Sequence, residues 1–171
     1  MTEIEVKVRV DDLPALRSRL TDLGAVVVKE RHFEENTLYD FRDRRLAERR
    51  EALRVRKVGR KAFLTFKGAP QTSRKFKIRT EYETEARNAR HLVRIIQALG
   101  FVQSAHYEKY RTVLRKGTLT ICLDETGAGT FVEFEGERET IARMARTLGM
   151  EKGSWIQKGY LTLLREAGKA I

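Results

Sequence analysis

Residues 3–10 read EIEVKVRV, and the reading of the whole chain turns on this stretch. Charged and aliphatic residues alternate without a break. Successive side chains of an extended strand point to opposite faces. Glu3, Glu5, Lys7 and Arg9 therefore share one face, and Ile4, Val6, Val8 and Val10 the other. A strand with one face in water reads this way, and so does a strand that lines a charged interior. The two differ in whether acids and bases stay in phase along the rest of the chain.

They do. Arg54 and Arg56 lie opposite Leu53 and Val55, and Lys67 lies opposite Leu64 and Phe66. Lys77, Arg79, Glu81 and Glu83 share a face, opposite Phe76, Ile78 and Tyr82. Lys109 and Arg111 oppose Tyr110 and Leu114; Asp124 opposes Leu119, Ile121 and Leu123; Glu133 and Glu135 oppose Val132 and Phe134. With Glu3, Glu5, Lys7 and Arg9, the charged face holds acids and bases interleaved.

Helices separate these strands. DDLPALRSRLTDLGA carries Leu13, Leu16, Leu20 and Leu23 at helical spacing, with an aspartate to cap, Pro14 in the first turn and Gly24 at the end. NARHLVRIIQALGF and ETIARMARTLGM repeat the pattern, each after an acidic E-x-E strand and each ending in Leu-Gly. VVVKERHF and NTLYDF are β-rich. Hairpins are expected at Gly59–Arg60 and near Gly117, a strand turn at Gly127–Gly129, and a short closing helix in GYLTLLREAG. About eight or nine strands and three or four helices make a mainly antiparallel α+β domain, expected as one unit over 1–171.

The chain carries 35 Lys plus Arg against 24 Asp plus Glu, a net charge of +11. That balance points to an anionic partner: nucleic acid, a membrane surface or a phosphorylated small molecule. The single Cys122 excludes an internal disulfide and a cysteine-based zinc cluster, and reads as a small buried hydrophobe. His32, His91 and His106 show no metal-ligand spacing. Neither a spanning segment nor a signal peptide is read, so a cytoplasmic protein is expected. Trp155 either stacks on a base at a binding site or anchors the C-terminal segment. RDRRLAERR, residues 42–50, reads as a solvated loop or helix face.

Two arrangements fit the strand faces. An open sheet could pack helices on its aliphatic side and show its charges to solvent. Alternatively, the sheet curls with the charged face inward. Inward ions need pairing or ligands, since an unpaired buried ion costs several kcal/mol. A polyphosphate with divalent cations supplies both: bases for phosphate oxygens, carboxylates for a hard cation. A nucleic-acid groove would be mostly basic instead.

EIEVK at 3–7 resembles the ExExK signature of the CYTH superfamily, the triphosphate tunnel metalloenzymes. The series continues in order with ALRVR (52–56), LTFKG (64–68), KIRTEYE (77–83), EKYR (108–111), LDE (123–125), FVEFE (131–135) and GYLTLL (159–164). EIEVKVRVDDL is most similar to the class IV adenylate cyclase-like branch, with Asn36 standing where that branch often has an acid. The resemblance implies an eight-stranded antiparallel β-barrel with helices packed outside, and Mg²⁺ or Mn²⁺ as cofactor. It implies Glu3, Glu5, Glu81, Glu83, Asp124, Glu133 and Glu135 on the metal side. It implies Lys7, Arg54, Arg56, Lys67, Lys77, Arg79, Lys109 and Arg111 on the phosphates, with Glu3, Glu5, Lys7 and Glu135 catalytic. The implied substrate is ATP, tripolyphosphate or thiamine triphosphate, and a homodimer is a family expectation. The implied reaction is cyclisation of ATP to cyclic AMP and pyrophosphate, or triphosphate hydrolysis. A non-catalytic module binding polyphosphate or nucleic acid is a third reading.

Overall fold

The computed structural model describes residues 2–150 and 152–171. The opening stretch is β1 (Thr2–Arg9), followed by α1 (Leu13–Asp22), β2 (Val26–Asp40), α2 (Arg45–Glu48), β3 (Ala52–Val58) and β4 (Lys61–Lys67). Then come β5 (Lys77–Ala86), α3 (Ala89–Ala98), β6 (Val102–Lys116), β7 (Leu119–Thr126) and β8 (Gly129–Glu135). The chain ends with α4 (Arg138–Thr147), β9 (Trp155–Ile156) and α5 (Tyr160–Glu166).

β1 closes the sheet. Its first half pairs with β5 and its second half with β8, so the order β5-β4-β3-β2-β6-β7-β8-β1 returns to β5 as an antiparallel barrel. The short β9 adds to β1 through Lys7↔Ile156 and Val8↔Trp155. The two β-rich stretches after α1 are one continuous strand, β2, paired along its length with the equally long β6. β2 carries register shifts between Val27 and Lys29 and between Lys29 and His32. Bulges of this kind let a long strand bend around a barrel.

The hydrocarbon of the molecule lies outside the barrel wall. Leu16 and Leu20 of α1 and Ile141, Met144 and Leu148 of α4 pack on Val6, Val8, Leu114, Ile121, Leu123, Val132 and Phe134. α3 covers the other side, with Ile96 against Tyr39 and Val55 and with Leu92 and Val93 alongside. Each fully buried Leu, Ile or Phe contributes about 1.5–3 kcal/mol. This outer layer supplies the driving force and frees the interior from packing duty.

The three Leu-Gly stops share one geometry. Gly24, Gly100 and Gly149 all have positive φ, and the residue after each returns its N–H to the carbonyl five back (Ala25 to Leu20, Phe101 to Ile96, Met150 to Ala145). This closure requires the left-handed region that glycine enters without strain. Asp12 and Asn88 cap the starts of α1 and α3. No helix of the described residues is long and apolar enough to cross a membrane.

Candidate active site in the barrel

A cavity of about 900 Å³ runs through the barrel interior. Fourteen of the fifteen site residues expected from sequence line it, because every in-phase charged face turns inward. The exception is Asp124, wholly buried beneath Arg111, Lys109 and Tyr160. Arg9, in phase with Lys7, passes the end of the cavity and donates to the Ala128 carbonyl.

Strand register sets the charge pairs. Lys7 stands opposite Glu133, Arg111 opposite Asp124, and Lys109 opposite Glu34. Lys7 Nζ lies 2.9 Å from Glu133 and also donates to the Lys158 carbonyl at 3.2 Å. Arg111 donates to both oxygens of Asp124, at 2.6 and 2.5 Å, and reaches Glu133 as well. Lys109 sits 3.2 Å from Asp124 and 3.6 Å from Glu34. Burial alone would raise the Glu133 pKa, but Lys7, Arg111 and Lys109 outweigh it and hold Glu133 well below the carboxylate range. The same contest lowers Glu34 to about 2, with Lys109, Arg111 and Arg56 prevailing over burial.

A second cluster has a different character. Lys67 bridges Glu3, at 2.9 Å, and Glu81. Lys77 lies 2.5 Å from Glu5. Glu5 stands directly across β1–β8 from Glu135, a like-charge pair of the kind that destabilises a sheet. Glu135 reaches the open rim, yet loss of hydration, then the charges of Glu3, Glu5 and Glu81, push it up to about 7. Glu3 is raised too, by burial first, against the pull of Lys67. Between the two clusters, Arg56 binds Glu83 at 2.8 Å, Arg54 lies 3.5 Å from Glu83, and the buried Thr65 hydroxyl donates to Glu83 at 2.6 Å.

The motifs assign no role to several residues of the site, Tyr160 of GYLTLL among them. Glu34 is the first, buried behind Lys109 and Arg56. Tyr160 is the second. Its hydroxyl donates to Asp124 at 2.5 Å, and its ring lies 4.0 Å from Lys7 Nζ and 4.9 Å from Lys109 Nζ. Cys122 is buried as expected, but among ions: it lines the cavity beside Arg111, Asp124 and Glu133, and burial pushes its thiol up to about 12. It lies two residues before Asp124, so the period-two rule already put it on the charged face. Asn36 is fully enclosed, and its side-chain amide makes no hydrogen bond among the described residues. Trp155 packs on Phe76 and anchors the C-terminal segment, away from the cavity. His106 is less isolated than its spacing suggests. On the outer face of β2 and β6 it meets Glu35 and Glu108, with one ligand atom of each within 4.8 Å of the others.

With Glu34 included, the interior holds eight bases and eight acids. The fold is a closed antiparallel barrel with charged side chains turned inward, and the CYTH domain model matches residues 1–160. The chain belongs to the CYTH family. A presumed adenylate cyclase of Methanocaldococcus jannaschii is 30% identical over 174 residues, covering 95% of this chain and 98% of that one. The PH1819 protein of Pyrococcus horikoshii OT3 superposes with a TM-score of 0.80 at 28% identity, over 96% of this CYTH chain and 98% of its own. A Hippeastrum protein considered an adenylyl cyclase, and described as having a dominant triphosphatase activity, aligns at 25% identity with a TM-score of 0.69, covering 99% and 97% of the two chains.

Proposed function

We propose that this CYTH protein is a divalent-metal-dependent enzyme acting on triphosphates in its tunnel, of the class IV adenylate cyclase type, converting ATP to cyclic AMP and pyrophosphate. One observation carries the reading: Glu5 faces Glu135 directly, with Glu3 alongside, and loss of hydration together with this crowding raises Glu135 to about 7. Carboxylates so arranged fit a hard divalent cation, Mg²⁺ or Mn²⁺, whose charge removes the repulsion. Glu3, Glu5, Glu81 and Glu135 would hold it. When bound, it supplies Lewis-acid neutralisation of phosphate oxygens.

The bases would do the rest. Lys7, Lys109 and Arg111 sit at the enclosed cluster, each held by an acid that phosphate oxygens can replace. Lys67 and Lys77, paired with Glu3 and Glu5, would follow the phosphates. Arg54, Arg56 and Arg79 complete the cradle. Asp124, Glu133 and Glu83, each held closely by an arginine where Glu3 and Glu5 have only a lysine, would position these bases more than serve a cation. In cyclisation, the 3′-hydroxyl oxygen bonds to the α-phosphorus, its proton is lost, and the bond to the β-phosphate oxygen breaks. Lys7 and Arg111 stabilise the charge on the departing pyrophosphate.

The M. jannaschii relative supports the cyclase reading. The Hippeastrum neighbour supports a second, in which water attacks a terminal phosphorus and orthophosphate leaves. Incubation with ATP and Mg²⁺ or Mn²⁺ separates them: cyclic AMP is expected, and orthophosphate from tripolyphosphate without any cyclic product reverses the order. Glu5→Gln and Glu135→Gln should each abolish turnover with an unchanged circular dichroism spectrum. Near-parental rates in both variants would remove the metal assignment.

A further inference from the structure

We propose that the arginine-rich segment between β2 and β3 builds an anion subsite at the tunnel entrance, which receives the phosphates of a linear chain beyond the third. The inference rests on the triphosphate reading above and extends it to chain length.

The segment is held in an unfavourable backbone conformation. Arg44 and Arg50 both have φ of 59°, and among the described residues they are the non-glycine positions with positive φ. Such residues persist only where their surroundings enforce them. The buried Asp40 carboxylate holds the Arg44 end, accepting from the N–H groups of Phe41 (2.7 Å), Leu46 (3.0 Å) and Ala47 (3.0 Å), while Arg50 closes the end of α2, its N–H going to the Ala47 carbonyl and that of Glu51 to Leu46. The far end is tied to the tunnel itself: Arg79 donates to the Arg50 carbonyl at 3.0 Å.

Charge is unbalanced at this rim. Seven of the eight interior bases contact an acid within 4.0 Å. Arg44 and Arg50 line the cavity, as does Arg165, and none of the three forms an ion pair among the described residues. Arg45 is different: it is occupied by Asp43 at 2.7 Å and stacked on Phe41. Glu51 is the acid of the segment that shares this lining. The interior can match a triphosphate with its cations. The guanidinium excess at the entrance then calls for further negative charge continuous with that chain, and guanidinium groups are suited to phosphate oxygens.

The test is equilibrium binding of inorganic tripolyphosphate and tetrapolyphosphate at fixed Mg²⁺ and low temperature. The parent should bind the longer chain about tenfold tighter, the effect of two partly exposed charge contacts. The double variant Arg44→Gly/Arg50→Gly removes both guanidiniums while glycine occupies the left-handed region freely. It should keep the parental melting temperature and the parental tripolyphosphate affinity and lose the preference. Arg42→Gly/Arg49→Gly, on the same segment but off the cavity lining, should retain it. Equal binding of both chains by the parent overturns the proposal. So does a preference that survives in Arg44→Gly/Arg50→Gly, or one that Arg42→Gly/Arg49→Gly erases equally. Failure of the parent to bind either chain is a separate result and removes the triphosphate reading itself.

Discussion

Replacing Asp124 by Asn keeps the side chain's shape and deletes one negative charge at the most enclosed point of the barrel. Asp124 accepts on Oδ1 from Arg111 Nε at 2.6 Å. On Oδ2 it accepts from Arg111 Nη2 at 2.5 Å, Lys109 at 3.2 Å and the Tyr160 hydroxyl at 2.5 Å. An amide cannot satisfy this set, since whichever position its nitrogen takes, a donor meets a guanidinium or ammonium donor. Removing one partner of a buried pair costs about 3–5 kcal/mol. For a chain of this size each kcal/mol moves the melting temperature about 2–4 °C, so Asp124→Asn should melt about 6–20 °C below the parent at neutral pH. Tripolyphosphate should restore more of that loss than it adds to the parent, because phosphate oxygens offer Arg111 and Lys109 the negative charge that the amide withholds. Differential scanning fluorimetry with and without tripolyphosphate reads both effects. A variant melting within about 2 °C of the parent would refute the claim that Asp124 is the anchor of this cluster.

Three further outcomes follow from the same geometry. The Glu135 pKa is near 4.5 when unfolded and about 7 when folded, so between these pH values the native state keeps a proton that the unfolded chain has lost. Metal-free protein should therefore lose stability as pH rises from about 4.5 to about 7, and Glu135→Gln should flatten that slope in denaturant titrations; an identical slope in the variant counts against the assignment. Tyr160→Phe deletes a buried donor to a carboxylate and should lower unfolding free energy by about 1.5–3 kcal/mol in urea, with no change in secondary structure; a neutral effect would mean the hydroxyl is dispensable. Cys122, buried with its thiol at about 12, should resist aromatic disulfide reagents at pH 8 until denaturant is added, whereas stoichiometric labelling of native protein would show the wall to be open there.

Strand faces were legible because the side-chain period of an extended chain is two and most strands here keep it. β1, β3, β5 and β8 sort their residues without ambiguity, and they supply most of the expected lining. What periodicity left open was the sign of the curl, since inward and outward charged faces look alike along one strand. Closure comes from β1 pairing with both β5 and β8, a long-range fact that local pattern cannot express. β2 is where the reading failed to reach. Its bulges break the alternation around Lys29 and His32, so Glu34 gave no clean phase. Tyr160 lay beyond any strand: it reaches Asp124 because α5 packs at the barrel end, through Leu163 and Leu164 beside Phe131. Cys122 was readable by the rule already in use, and was passed over because its residue type suggested a hydrophobe.

The interior charge is hard to explain by stability. Buried ion pairs seldom outperform a well-packed aliphatic core, since desolvation offsets most of the attraction. The outer helices already give this fold its hydrocarbon core, and the interior could have been filled likewise. Instead it keeps eight acids against eight bases around an open cavity. This balance of strand-borne charges inside the barrel would disfavour either partner of a metal–phosphate complex alone. A phosphate chain by itself would take bases from their acids and leave carboxylates unpaired. A cation by itself would do the reverse. Under the proposed function the two arrive together, and each would satisfy what the other displaces. An acid at position 36, beside Arg56 and Tyr107 in the register, would tip that balance by one charge; Asn36 keeps it even.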